Sequence, residues 1–282
     1  FVLLDAGNDW WWALDNLEVT ANVQGAGIPG LIGYWSFDDQ TATDGSANGN
    51  DGTINGGAAF VPGQSGEAGD FALSFDGVDD SVTAGAPILS GRNAFTISGW
   101  VKFDAAQADR TGLFGQNDSV EFGMINATTL QQWLPQVPGL DYGFESAPEW
   151  THLAVANDIN GRTLYVNGEA VMTADPAPTG ESAFGFNIGG GGIFDDAGNF
   201  FNGEIDDVAV YDVSLAAPQI KGLADRFLLP GGPVNGETPG GGAGAIELGS
   251  LTFGADGSVM ISMPAGQSYD IEYSTDLISW EP

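Results

Sequence analysis

The sequence predicts an all-β fold, an antiparallel two-sheet jelly-roll sandwich with one short C-terminal helix and partial β-segments on either flank. Three observations predict it. Short apolar segments recur between Gly, Asn and Asp turn signals; several of them alternate strictly; and Asn-Gly pairs stand where two neighbouring segments must fold back on each other. Hydrophobic residues at 43% and aromatics at 11% suffice to fill a sizeable core, and 44 Gly with 14 Pro supply the turns without making the chain low in complexity.

Taken in order, residues 1–24 read as the tail end of a preceding β-domain, with Trp10, Trp11 and Trp12 adjacent. The main domain spans 28–228. Its expected strands are 31–37, 70–77, 93–103, 111–116, 119–125, 149–157, 162–167, 183–190 and 203–212. In FTISGWV, Phe95, Ile97, Gly99 and Val101 point one way and Thr96, Ser98 and Trp100 the other, the period-two signature of a strand. Asn160-Gly161 and Asn167-Gly168 tolerate the positive φ of two-residue turns, so the strands around them pair directly. Ile220, Leu223 and Phe227 fall at helical spacing and mark one helix near 216–226. Residues 229–245 are rich in Gly and Pro and read as a linker, and 246–282 as a truncated C-terminal β-module. With no initiator Met and no signal pattern, the chain reads as a piece of a longer protein.

Charge narrows the partners. Six basic residues against 38 acidic ones give a net charge of −32, a surface that repels nucleic-acid phosphates and anionic lipids and attracts cations, calcium first among them. Zero cysteines remove disulfides, thiolate nucleophiles and cysteine-ligated metals, and the one histidine, His152, removes multi-histidine sites. No apolar run reaches the length of about 18 residues that a membrane-spanning helix needs.

Residues 31–226 carry, in order, YWSFDD (34–39), DGSANGNDGTINGG (44–57), ALSFDGVDDSV (72–82), FTISGWVK (95–102), EWTHLAV (149–155), GRTLYVNGE (161–169) and FNGEIDDVAVYDVSLAAPQI (201–220). This ordered set resembles the laminin-G-like, concanavalin-A-type jelly rolls of large exported bacterial proteins. Ala216 stands where that family usually starts its last helix with Ser, and the segment 125–146 matches nothing in it. The resemblance implies a structural calcium site where an early strand end, the Asn/Gly turn after it and an Asp of the IDD motif converge, which assigns Asp38, Asn50, Asp76 and Asp206 as ligands. Acids also crowd at Asp44/Asp51, Asp79/Asp80 and Asp207; calcium takes six to eight oxygens, which Asp- and Gly-rich turns can provide, while acids in turns also serve simply to solvate and cap them.

Catalysis is not expected. GEIDDVAVY begins like the Glu-Ile-Asp-x-x-Glu of laminarinase-type glycosidases, but Val208 and Ala209 occupy the region of the second Glu, and retaining hydrolysis needs two carboxyls about 5–5.5 Å apart. His152 is the only base available to a serine triad and sits in a strand with Trp150, where packing is the ordinary role. Trp35, Trp100 and Trp150 are expected in the core. For binding, Trp133 in the polar QQWLPQ is the first candidate to stack on a sugar, followed by Tyr142, Phe194 and Phe200; the alternative for Trp133 is to plug its own long loop. The expected molecule is a monomeric, calcium-stabilised carbohydrate-binding or adhesion module of a secreted or surface multidomain protein, its partner a glycan or a neighbouring protein domain. The alternatives are a structural spacer and an accessory domain of a polysaccharide-degrading enzyme.

Overall fold

A computed structural model of the chain describes residues 21–23, 28–104, 106–226, 228–230, 250–253, 259–262 and 269–271. The chain divides into two units, Gly27–Gly240 and a second built from Phe1–Ala26 with Gly241–Pro282. The triple tryptophan, most of the expected linker and much of 246–282 lie outside the described residues. In the second unit β1 (Ala21–Val23) pairs antiparallel with the strand Tyr269–Ile271, and Ser250–Phe253 pairs with Val259–Ser262.

The first unit contains, in chain order, β2 (Leu31–Trp35), β3 (Gly52–Asn55), β4 (Ala59–Pro62), β5 (Phe71–Asp76), β6 (Ser81–Ala84), β7 (Phe95–Phe103), β8 (Thr111–Gly112), β9 (Phe114–Gly115), β10 (Glu121–Asn126), β11 (Thr129–Trp133), β12 (Leu140–Gly143), β13 (Thr151–Asp158), β14 (Gly161–Val166), β15 (Glu169–Ala174), β16 (Phe186–Ile188), β17 (Asn202–Tyr211) and helix α1 (Ala217–Ala224). One sheet runs β15-β14-β13-β7-β17-β5-β4, with β2 also on β17. The facing layer consists of β12-β11-β10-β8 and β3-β6-β16-β9, joined because β8 and β9 are separated only by Leu113, whose N–H donates to Phe122 O. All these pairings are antiparallel.

The alternation expected in β7 is the one observed. Phe95, Ile97 and Val101 join Leu73, Phe75, Leu153, Val155, Ile205, Val208 and Val210 in the core between the sheets, where Phe114, Phe122, Met124, Leu130, Phe186 and Ile188 come from the facing layer. Gly99 faces the same way because a Cβ there would meet the Phe114 ring at 3.1 Å. Trp35 stacks on Phe186 at 5.2 Å and donates from Nε1 to Asn50 O. On the other side of the sheet, Ala154, Ala156, Tyr165, Ala209 and Tyr211 are covered by Ile220 and Leu223 of α1 and by Leu215. The helix lacks a side-chain cap at Ala216, as the sequence indicates, but Gln219 Oε1 accepts the Ala216 N–H at 2.9 Å. Trp35 and Trp100 are buried. Trp150 is instead only partly buried, its ring under the Lys102 ammonium.

Three local expectations are refined. Asn167-Gly168 forms a two-residue turn between the paired Val166 and Glu169, with both φ positive. The other hairpin closes one residue earlier than the Asn-Gly pair suggests, around Ile159-Asn160, because Asp158 Oδ1 accepts the Asn160 N–H and centres the turn there. The unplaced segment 125–146 is no long loop: it forms β11 and β12, whose inward positions are Leu130, Gln132 and Leu140, with Gln132 Oε1 satisfied by the buried Arg162 guanidinium at 3.2 Å.

Asp44 is buried and organises the turn after β2. Its Oδ1 accepts the N–H of Tyr34 and of Ser46, and its Oδ2 that of Asn50. Asp44→Ala leaves these donors to water or unpaired and is expected to cost about 2–4 kcal/mol in urea unfolding, with Asp44→Asn losing less. His152 is buried against Trp100, and burial pushes its imidazolium pKa down to about 3 from the ordinary 6.5, Asp225 pulling weakly the other way. Its pKa is lower folded than unfolded, so it contributes stability above pH 6.5 that is lost as pH falls toward 3. The difference in unfolding free energy between the wild type and His152→Gln should therefore shrink between pH 6.5 and pH 4; a constant difference would contradict a neutral buried ring.

Candidate functional site

β17 changes partners in mid-strand. Its first half, Asn202–Ile205, pairs with β5 and its second, Val208–Tyr211, with β2, while β7 runs along the other edge with a register shift between Asp206 and Ala209. The bulge puts Asp207 at φ 50°, and the chain leaving β2 has Phe37 at φ 63°, a costly conformation for a bulky residue. At this seam backbone N–H groups lack ladder partners, and acids take them: Asp38 Oδ1 accepts from Phe71 N at 3.1 Å and Asp206 Oδ2 from Gln64 N at 2.8 Å. Asp207 Oδ1 accepts the Tyr34 hydroxyl at 2.6 Å, and its Oδ2 the Arg226 guanidinium at 3.0 Å. Asp70 accepts the Ser65 N–H and lies against Gly63, where a Cβ would be 2.6 Å from its carboxyl carbon.

Four carboxyls thus share one small region with a single guanidinium. Burial pushes the Asp206 carboxyl far above the usual carboxylate range, and Asp207, Asp70 and Asp38 push it further. Burial likewise raises Asp38 to about 6. Asp206 is fully buried, and its Oδ1 has no hydrogen-bond partner among the described residues. An orphaned carboxylate oxygen among acids is what a hard cation would satisfy, but Asp38, Asp70 and Asp206 do not bring their carboxylate oxygens within 4.8 Å of one another; among the described residues only Asp76, Asp79 and Asp80 do.

The sequence-derived ligand set is divided by the fold. Asp38 and Asp206 meet at the seam with Asp70 and Asp207. Asn50 sits beside the start of β2, its Nδ2 donating to Ile32 O and its carbonyl taken by Trp35. Asp76 ends β5 opposite Asn202, the far end of that pairing from Asp206, and groups instead with Asp79 and Asp80, whose carboxylate oxygens lie within 4.8 Å of one another. Asp70 escaped notice in the sequence because it reaches the seam from a loop with no motif of its own. Glu204, the acid in the glycosidase-like GEIDD, holds Lys102 with both oxygens, at 2.9 and 3.0 Å.

The outer face of the facing layer forms a second region. Trp133 and Glu121 are directly opposed on β11 and β10, so they share a face, and Trp133 keeps part of its ring exposed. The same face carries Gln131, which donates to Asp141 at 2.7 Å, and Gly123 between them. The loop after β16 folds over the neighbouring part: Gly112 donates to Asn199 O, Gly112 has no room for a Cβ beneath Ile193, and Asn187 Nδ2 donates to Gly192 O. Beside it Asn117, Asp118, Phe194, Asp195, Asp196 and Ala197 line an open groove of about 490 Å³.

The four expected aromatics do not make one platform. Phe194 is buried with the Arg110 guanidinium over its ring, Tyr142 packs toward the core opposite Leu130, and Phe200 is half-buried on the overlying loop. Trp133 stands on a strand of the sheet rather than plugging a loop.

The concanavalin A-like lectin/glucanases superfamily matches residues 76–221. No curated protein matches the chain. Among solved structures, the chain resembles domain 4 of AbnA, a GH43 extracellular arabinanase from Geobacillus stearothermophilus in complex with arabinotriose, with 23% identity and a TM-score of 0.56 over 73% of this chain and 99% of that one. It resembles the binding domain of botulinum neurotoxin DC in complex with SialylT at 15% identity and a TM-score of 0.54, over 70% of this chain and 52% of that one. It also resembles Trypanosoma rangeli sialidase at 17% identity and a TM-score of 0.52, over 71% of this chain and 33% of that one. At these identities the likeness is one of fold. The match over 76–221 takes in more than half of the chain, and the antiparallel sandwich is the architecture it calls for: the chain belongs to the concanavalin A-like lectin/glucanase superfamily.

Proposed function

We propose that the chain is a non-catalytic carbohydrate-binding module, stabilised by calcium, of a secreted or cell-surface protein. The observation that carries the binding reading is the pair on the outer face, a partly exposed Trp133 directly across from Glu121. An aromatic ring stacks on the apolar face of a sugar, and the carboxylate and amide side chains beside it take up hydroxyls. Similar folds solved with arabinotriose and with SialylT support a saccharide as the ligand. Glu204 is neutralised by Lys102, which supports the non-catalytic reading. The similarity to one domain of an extracellular arabinanase favours a second reading, an accessory domain that holds a separate catalytic domain on its polysaccharide.

The calcium reading rests on the unpartnered Asp206 Oδ1, with Asp38 or Asp70 having to close on the same ion, since the three carboxylates do not lie within 4.8 Å of one another. Binding to the folded state alone stabilises it by about 2.7 kcal/mol at calcium a hundredfold above Kd, or about 5–10 °C in Tm for a domain of this size. Chelated protein should show this rise on calcium addition, and Asp206→Asn, which keeps an acceptor for Gln64 N–H, should abolish it. On a glycan array the wild type should retain at least one neutral polysaccharide or its oligomers, and Trp133→Ala should weaken that binding about tenfold or more while leaving Tm within a few degrees. Wild-type and Trp133→Ala proteins that behave alike would remove the outer face from the binding account.

A further inference from the structure

Among the described residues the chain contains five Asn-Gly pairs, at Asn48, Asn55, Asn160, Asn167 and Asn202. Asn-Gly is the dipeptide best suited to cyclise on itself, because glycine puts no side chain in the way of its own backbone nitrogen. In four of the pairs the fold opposes that step. Asn202-Gly203 lies within β17, where Gly203 stands between Phe75 and Phe103 and Asn202 Nδ2 donates to Asp76 O. Asn167 Oδ1 accepts the His152 N–H at 2.9 Å, and Gly168 is buried against Lys221. Gly161 is paired with Asp158 across the hairpin, and the Asp158 carboxylate takes both the backbone and the side-chain N–H of Asn160. Asn55 ends β3 with Nδ2 donating to Thr53 O and Thr83 Oγ1, and Gly56 is pressed on the Asp79 carbonyl, which a Cβ would meet at 2.4 Å. Asn48-Gly49 differs. Both residues are exposed, a Cβ on Gly49 would have nothing within 4 Å, and no described residue accepts the Gly49 N–H. The Asn48 amide still matters to the fold. β2 pairs only with β17 among the described strands, and the turn 44–50 holds it from elsewhere: Asp44 Oδ1 takes the Tyr34 N–H, Gly45 N donates to Tyr34 O, Asn50 Nδ2 to Ile32 O, and Asn48 Nδ2 to Leu31 O at 3.1 Å.

We propose that Asn48-Gly49 is a site of spontaneous succinimide formation, which converts Asn48 to aspartate and isoaspartate and loosens the hold of the turn on β2. Hydroxide removes the Gly49 amide proton, and the nitrogen attacks Asn48 Cγ. The Cγ–Nδ2 bond breaks and the nitrogen leaves as ammonia, taking its last proton from water. A second water then opens the cyclic imide. Cleavage at Cγ gives aspartate; cleavage at the Asn48 backbone carbonyl gives isoaspartate, with the chain running through Cγ. Either product lacks the Nδ2 donor that Leu31 O receives, because a carboxylate only accepts. Isoaspartate also adds a methylene to the backbone of the turn.

The test is incubation of the full chain in mildly alkaline buffer, folded and in urea, followed by peptide mass spectrometry of each Asn-Gly pair and labelling of isoaspartate with an isoaspartyl methyltransferase. In urea the five pairs should react at similar rates, because the reacting dipeptide is the same. In the folded protein Asn48 should keep a rate near its unfolded one, while the other four fall about tenfold or more behind, since each must first open locally. Gly49→Ala should slow the reaction at Asn48, and Asn48→Gln, whose longer amide closes a ring less readily, should abolish it. Converted wild-type protein should lose about 2–4 °C in Tm, the effect of one hydrogen bond in a domain of this size, and incubated Asn48→Gln should lose none. A folded-state rate at Asn48 no higher than at Asn55 or Asn160 would overturn the proposal. Conversion at Asn48 with an unchanged Tm would overturn the effect assigned to β2.

Discussion

The structure depends on how β17 crosses from one partner strand to another. A strand buried on both faces and paired along both edges is the natural spine of a sandwich, and β17 fills that role for half its length with β5 and for the other half with β2. The exchange leaves a break in the hydrogen-bond ladder, and Asp38 and Asp206 fill it by accepting backbone N–H groups. Carboxylates do this well because they accept without needing to donate, but they bring charge into a buried place. Arg226 offsets the charge at Asp207, and Tyr34 adds a donor there; Asp206 receives a backbone N–H on one oxygen alone. Either Asp206 stays protonated or a cation completes it, and the proposed calcium site takes the second of these.

The second constraint is that a sandwich has one outer face to spare. α1, Leu215 and Ile28 cover the outside of the larger sheet where β13, β14 and β17 cross it, and the outside of the facing layer carries Trp133. There the loop after β16 closes part of the sheet over Gly112 and Asn187 and leaves Trp133 and Glu121 at its margin. The seam lies within the sheet that builds the sandwich, whereas Trp133 stands on an outer face that the core does not need.

Much of this was legible in the sequence, for physical reasons. The period-two pattern of β7, the Asn167-Gly168 turn and the helical spacing of Ile220 and Leu223 express local geometry, so they survive folding almost unchanged. The family resemblance also assigned Asp38 and Asp206 to one region, where the two feel each other electrostatically and each accepts a different backbone N–H. What was not legible was long-range. Asp70 reaches the seam from a loop, Asn50 is claimed by β2 and Trp35, and Asp76 is carried off by the register of β5 on β17. β11 was missed because its inward Gln132 reads as polar until Arg162 is placed against it. Glu121 was missed because nothing local distinguishes a strand acid that faces Trp133 from one that faces solvent.

The central claim is that a cation belongs at the partner exchange of β17. A crystal structure of the protein grown with calcium, with anomalous data, tests it most directly. The account predicts an ion about 2.3–2.6 Å from Asp206 Oδ1, with Asp38 or Asp70 also in its coordination sphere. A bare Asp206 Oδ1, with calcium bound only at Asp76, Asp79 and Asp80 or nowhere, would contradict it.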